Sequence, residues 1–341
     1  MKTKAVFLCR DGGSVDRVYG ANAEIFPKLT SELDFPGEIV NMGNIDKYKG
    51  FTNECRYVFS TWGMLDLGVD DIKKYLGKCE VIFYGAGSVQ YFARGYLNSG
   101  IRLSSSWVAN GIPVAEFALS QILLANKGYF KIAGKIKKPE DWWGPARAVS
   151  SNYTGNYNSK IGIIGAGTIG KRIITYLRAL GVKAEIYVCD PNFTEGAAAA
   201  MNVKKAALEE IFKTCGVISN HSANLPSTVG MINKTHFALM RDYATFINTG
   251  RGAQVVEADM TDALKNNPTL TALLDVTDPE PPKGGSELYN LENVIMTPHI
   301  AGVTGNELLY LSDFMYGEYR LYDSEKKLNY EVTLDMLEYM A

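Results

Sequence analysis

The chain is 341 residues long, close to two domains at about 150 residues each, and its 46% hydrophobic and 21% charged residues suit two ordinary globular cores. Against 37 Asp and Glu stand 35 Lys and Arg, a net charge of −2 without the basic face that binding nucleic acid or an anionic membrane requires. The cysteines Cys9, Cys55, Cys79, Cys189 and Cys215 are odd in number and form no C-x-x-C pair, so neither a disulfide framework nor a metal site is expected.

In chain order, the apolar stretch Ala5–Cys9 is too short for a signal-peptide core. No apolar run approaches the roughly 20 residues that cross a bilayer, and a soluble, reduced, cytoplasmic protein is expected. Short β-branched or aromatic runs at Val6–Cys9, Tyr57–Ser60, Val81–Tyr84 and Ile101–Ser104 are each followed by Gly, Ser, Thr or a charge, as buried strands are. Helical stretches at Asp70–Leu76 and Tyr91–Leu97 fall between them. Pro113 suits the first turn of a helix running on through Val114–Lys127. Lys135–Ser159 is polar and rich in Trp, Tyr and Pro, and reads as a long connection. Its Trp142-Trp143 pair is read as packing against neighbouring helices, with a subunit interface as the alternative.

From Lys160 the pattern becomes regular: strands at Ile161–Ile164, Glu185–Val188, Val217–Ser219, Thr245–Ile247, Leu270–Leu274 and Val294–Met296, most of them separated by helices. Strands alternating with helices predict a parallel, doubly wound α/β sheet. The first strand of this series runs into Gly165-Ala-Gly167-Thr168-Ile169-Gly170, a G-x-G-x-x-G placed between strand and helix as dinucleotide binding requires. There Gly165 permits the tight turn, Gly167 lets the backbone approach a pyrophosphate, and Gly170 lets helix and strand pack closely. Asp190 follows Gly170 by about 20 residues, where a carboxylate would accept the adenosine ribose hydroxyls and repel a 2′-phosphate, selecting NAD over NADP.

Ligands of such sheets bind beyond the carboxyl ends of the strands. Three strands here run into Asn248-Thr249-Gly250-Arg251, Asp275-Val-Thr-Asp-Pro-Glu280 and Thr297-Pro-His299-Ile-Ala-Gly302. An Arg, a Glu and a His converging beside a nicotinamide would suit hydride transfer to a carbonyl: His moves the hydroxyl proton, Glu orients His, and Arg binds a carboxylate by a charge-assisted bond. His221, after the Val217–Ser219 strand, is read as structural or cofactor packing, and His236 as surface or packing. Trp62 is left between core packing and a pocket wall.

With these residues the chain resembles the D-2-hydroxyacid dehydrogenases. Lys160–Gly302 is similar to that family's cofactor domain, and Gly85-Ala-Gly87-Ser88 with Gly111-Ile-Pro-Val-Ala-Glu-Phe117 to its substrate domain. The resemblance implies that Arg251 binds substrate, Glu280 supports the histidine and His299 is the acid/base. It further implies that Asp275 holds the nicotinamide amide, that Thr168 and Ile169 lie against the pyrophosphate, and that Thr249, Gly250 and Gly302 belong to the cofactor site. Backbone N–H groups of Ala86, Gly87 and Ser88 would receive the substrate carboxylate. The chain departs from the family at Val89 and Gln90, where an Asp is usual, at Phe117 in place of His, and at Leu225 in place of Thr.

The expected architecture is two Rossmann-like doubly wound domains: a discontinuous, flavodoxin-like substrate domain (1–112 and 304–341) and an NAD-binding domain (113–303). The expected activity is reversible reduction of a small 2-keto acid to a D-2-hydroxy acid by NADH, in a homodimer. Glu280 argues against formate oxidation on the same fold, whose family has Gln there. Residues 300–341 are too few for the C-terminal regulatory domain of a long phosphoglycerate dehydrogenase, while a short phosphoglycerate or hydroxypyruvate enzyme stays open. The alternative from another class is a non-catalytic NAD-sensing protein of the corepressor kind.

Overall fold

The computed structural model describes residues 2–340 and every side chain among them except that of Pro145. The chain forms two compact units, Met1–Gly111 with Val303–Ala341, and Ile112–Gly302.

The first unit is built on β1 (Thr3–Phe7), β2 (Leu33–Asp34), β3 (Tyr57–Ser60), β4 (Val81–Tyr84) and β5 (Arg102–Ser105), with the short strand Glu331–Val332. The sheet order is β2-β1-β3-β4-β5 followed by Glu331–Val332; only that last strand is antiparallel. Both faces are covered, which is why these strands read as unbroken apolar runs. Alternation sends Val6, Val58, Ile82 and Leu103 to one core, with Ile45, Ile72 and Tyr96 from three helices. Phe7, Phe59 and Phe83 face the other core, where Val15, Val18 and Leu29 meet Leu311, Met315, Tyr319 and Tyr322 of the helix Leu308–Glu325. Their near-fourfold spacing makes one apolar stripe on that helix.

The second unit carries β6 (Tyr157–Ile164), β7 (Lys183–Cys189), β8 (Lys204–Lys205), β9 (Val217–Asn220), β10 (Thr245–Asn248), β11 (Thr271–Leu274) and β12 (Val294–Met296). All pairs are parallel, in the order β8-β7-β6-β9-β10-β11-β12. One face packs Ile161, Ile163, Val188 and Leu273 against Ile173, Ile174 and Leu177 of the helix Thr168–Ala179. The other packs Ile218, Phe246 and Leu274 against Phe212, Phe237 and Leu264. In each sheet the strand order reverses next to its first strand, between β1 and β3 and between β6 and β9. Loops leaving such a pair of strands part to opposite faces and open a crevice.

Four expectations need correction. Pro113 does not start its helix, which runs Trp107–Ala125 with Pro113 inside it. The Gly111-Ile-Pro113 sequence imitates a helix start; inside the helix Pro113 lacks the N–H that would have bonded the Ala109 carbonyl, and its ring crowds that carbonyl. This helix is also long and apolar enough to cross a membrane by length and composition, despite its interrupted apolar run. Half of it is buried in the protein, with Ala115, Ala118, Ile122 and Ala125 in the second unit's core. The connection Lys135–Ser159 holds two short helices, Pro139–Trp143 and Pro145–Ser150, and it ends at Asn156, because Tyr157–Ser159 already belong to β6. Trp142 and Trp143 are 58% and 78% exposed rather than packed between helices, with the Arg147 guanidinium 6.0 Å from the centre of the Trp143 ring.

Candidate active site

The glycine turn joins β6 to the helix Thr168–Ala179. Gly165 has φ +88°, and a Cβ there would stand 2.7 Å from the His221 carbonyl carbon; on Gly170 it would stand 2.1 Å from the Gly165 oxygen. The protein itself therefore demands these two glycines. At Gly167 a Cβ would meet nothing within 4 Å. Its small size is left to something that approaches the turn from outside, and the first turn of the helix, with Thr168 and Ile169 half-buried, begins there. The Asp190 carboxylate accepts the Ala166 N–H at 2.7 Å through one oxygen and the Asn192 N–H at 2.7 Å through the other. It is thereby fixed beside the turn. An anion-receptive helix end and a carboxylate at the neighbouring strand end are the donor and acceptor set that a dinucleotide needs, so the residues fit one.

Arg251, Glu280 and His299 come from the loops after β10, β11 and β12. His299 Nδ1 lies 2.7 Å from Glu280 Oε1, and both side chains are a little under half exposed. Burial pulls the Arg251 guanidinium below its ordinary range, and the nearby Glu280 carboxylate partly offsets that. Its Nη1 donates to the Gly250 carbonyl at 2.7 Å. The three residues are thus brought into one electrostatic neighbourhood.

His299 has φ +54°, in the left-handed region where non-glycine residues sit at a cost. Asp275 holds it there. This carboxylate is 2% exposed; Oδ1 accepts Thr297 Oγ1 at 2.6 Å and the Ile300 N–H at 2.9 Å, and Oδ2 the Ala301 N–H at 2.9 Å. The His299 N–H donates to the Asp275 carbonyl at 3.0 Å. Asp275 is the brace of the histidine loop, a role that its place in the sequence does not disclose. Gly302, half-buried, follows directly on the braced segment.

Sequence reasoning missed a buried amide network behind Arg251. Asn220 Nδ2 donates to Asn248 Oδ1 at 3.0 Å and to Gln254 Oε1 at 2.7 Å. Gln254 Oε1 also accepts the Arg251 N–H, Asn248 Oδ1 accepts the Gly250 N–H, and Asn248 Nδ2 donates to the Arg251 carbonyl. Gln254 Nε2 reaches the Ser222 and Ala223 carbonyls. Asn220 and Asn248 are partners in register across β9 and β10, a signal available only once the strand order is known. Gly252 is required beside them, since a Cβ would stand 1.9 Å from the Thr277 carbonyl carbon.

His221 is buried, with Nε2 2.8 Å from Ser219 Oγ and Nδ1 3.0 Å from Thr249 Oγ1. Burial pulls it down to about 3, so it is a neutral packing residue. His236 is buried too, its Nδ1 accepting the Asn233 N–H at 3.3 Å. Among the described residues no cluster of His, Cys, Asp and Glu could hold a metal.

Ala86, Gly87 and Ser88 belong to the first unit, in the loop after β4. Ser105 Oγ donates to the Ala86 carbonyl at 2.7 Å and lies 3.2 Å from that of Gly87. In planar trans peptides this turns the N–H groups of Gly87 and Ser88 the opposite way, away from Ser105. Trp62, in the loop after β3, is 39% exposed and so not a core residue of this unit.

A family model for the D-isomer specific 2-hydroxyacid dehydrogenase, NAD binding domain, matches residues 119–301. D-3-phosphoglycerate dehydrogenase of Pongo abelii is 30% identical over 205 residues, 60% of this chain and 37% of that protein. Hydroxypyruvate reductase of Blautia hydrogenotrophica is 37% identical over 141 residues, 41% of this chain and 43% of that one. The chain thus spans less than half the length of these curated relatives. Among solved structures, a phosphoglycerate oxidoreductase from Rhizobium etli superposes with a TM-score of 0.81 at 19% identity, covering 98% of this chain and 100% of the other. At that identity the likeness is one of fold.

Proposed function

The chain belongs to the D-isomer specific 2-hydroxyacid dehydrogenase family, and from that premise we propose that it interconverts a small 2-keto acid and the corresponding D-2-hydroxy acid. The observation that carries this reading is the 2.7 Å pair of His299 and Glu280, on a loop held at positive φ by Asp275. Glu280 occupies one ring nitrogen of His299 and so aims the other at the substrate oxygen, where it gives or takes the hydroxyl proton. Arg251 receives the carboxylate: its burial strengthens a charge-assisted pair, and the amide network fixes the backbone it hangs from.

NAD, when bound, supplies or accepts the hydride. Gly165, Gly167, Gly170 and the helix end behind them would hold its pyrophosphate, and Asp190 its adenosine ribose. The Asp190 carboxylate, fixed by two backbone donors, would meet a 2′-phosphate as a like charge, which favours NAD over NADP.

Oxidation of NADH in the presence of 2-keto acids from glyoxylate to phenylpyruvate tests the proposal, with wild type and His299→Ala side by side. The variant should lose ~10²–10⁴-fold in kcat, the usual cost of a missing acid/base, while still binding NADH. Undiminished turnover in the variant would sink it. The same assay with NADPH should show little activity; equal use of both would remove the role given to Asp190. NADH binding without turnover of any keto acid would favour the NAD-sensing alternative.

A further inference from the structure

Parallel pairing sets the residues that follow β6, β9 and β10 side by side. Ile164 is in register with Asn220, and Asn220 with Asn248, so Gly165, His221 and Thr249 form one row just past the strand ends. The row begins at the dinucleotide turn and ends where the Arg251 loop begins, and His221 is joined to both neighbours. Its N–H donates to the Ile164 carbonyl at 2.7 Å, and a Cβ on Gly165 would stand 2.7 Å from its carbonyl carbon. On the other side, ring Nδ1 lies 3.0 Å from Thr249 Oγ1, while Nε2 lies 2.8 Å from Ser219 Oγ on its own strand.

A neutral imidazole offers one N–H and one acceptor nitrogen, and a hydroxyl can play either part, so the two bonds satisfy the ring. His221, Ser219 and Thr249 are all buried. What sets this histidine apart from one that only packs is where its partner leads. Thr249 is followed by Gly250, whose N–H donates to Asn248 Oδ1 and whose carbonyl accepts Arg251 Nη1. The amide network grips the loop at Gly250 and Arg251, and His221 grips it one residue earlier.

We propose that His221 is a positioning residue for the reaction: through the Thr249 hydroxyl its imidazole holds the start of the Arg251 loop against the dinucleotide turn, so that releasing it weakens cofactor and keto acid together. This rests on the reading of the chain as a 2-keto acid reductase that binds NADH at the glycine turn.

Two amides separate the two bonds of the ring. An Asn side chain ends where Nδ1 lies and a Gln side chain where Nε2 lies, so His221→Asn keeps the link to Thr249 and His221→Gln the link to Ser219. In His221→Leu and in Thr249→Val, the Kd for NADH, read by protein fluorescence, and the KM for a keto acid that is reduced should each rise about 5-fold, as the loss of one hydrogen bond implies. The double variant should be no worse than either single one, because both remove the same bond. His221→Asn should restore both constants and His221→Gln neither. Equal rescue by the two amides, or a lowered urea midpoint with Kd and KM unchanged, overturns the proposal and leaves His221 to packing. The Kd for NADH needs no turnover, which keeps this test apart from the activity reading. With no keto acid reduced, a Kd that rises in the Leu and Val variants and recovers in His221→Asn sustains the link, and a Kd that stays flat overturns it.

Discussion

At the scale of single residues, burial decides what the chemistry leaves open. Two histidines, His221 and His299, follow strands of one sheet, and both have polar partners. His221 is closed in between Ser219 and Thr249, which forces it neutral; His299 reaches Glu280 while keeping nearly half its side chain exposed. The burial of His221 has a consequence for stability. The unfolded chain takes up that proton near 6.5 and the folded chain only near 3. Its contribution to stability is therefore complete above about 6.5 and is lost as pH falls toward 3, by about 1.4 kcal/mol per pH unit. His221→Gln, which keeps a neutral hydrogen-bonding side chain, should flatten the acid limb of a plot of urea midpoint against pH. An acid limb of unchanged slope in the variant would show that other groups carry it.

Elements and their ends carry the next level of the argument. The β6–helix turn is legible in the sequence because two of its requirements are local: Gly165 turns at positive φ, and a Cβ on Gly170 would strike the Gly165 carbonyl oxygen five residues earlier. The loop bearing Arg251 is different, since its shape depends on Asn220, 28 residues upstream of Asn248, whose amide donates to both Asn248 and Gln254. Gln254→Leu would leave the Arg251 N–H without its acceptor and the Ser222 and Ala223 carbonyls without their donor. A buried bond left unmade costs about 1–3 kcal/mol. The expected result is a lower urea midpoint and a keto-acid KM raised about 10-fold as Arg251 loosens, with NADH affinity retained. An unchanged KM in a destabilised variant would reduce the network to packing. The Trp142–Trp143 helix shows the opposite limit: its composition suggested packing, yet a five-residue helix leaves both rings more than half exposed.

For the whole molecule, the first unit is assembled from both ends of the chain. Glu318 joins them, 2% exposed, accepting Ser104 Oγ at 2.7 Å and the N–H groups of Asn329 and Tyr330 at 3.0 Å. It thereby seats the Glu331–Val332 strand against β5. Glu318→Gln presents an amide N–H₂ to a set of donors, and should cost about 1.5–3 kcal/mol, the worth of hydrogen bonds to a charged group. The effect is read as a lower urea midpoint together with faster proteolysis between Lys326 and Tyr330. Loss of stability without new cleavage there would separate Glu318 from the ordering of that segment.

Much of this protein was determined by the sequence alone wherever the physics acts over a few residues. Unbroken apolar runs mean strands buried on both faces, three glycines between strand and helix mean an anion-receptive turn, and Asp190 falls at the next strand end by simple count. The Arg, Glu and His after three successive strands are visible for the same reason, since parallel strands deliver their carboxyl ends to one edge. The tertiary structure alone decided which partners those residues keep. Asp275 braces the His299 loop, Asn220 meets Asn248 in register, and Arg10 is pinned to Gly63 over the ring of Tyr91. It also decided that the Trp107–Ala125 helix runs through its proline. Such pairings join residues tens of positions apart, and no local periodicity encodes them, because they arise only when the order of strands in the sheet brings distant loops to the same edge.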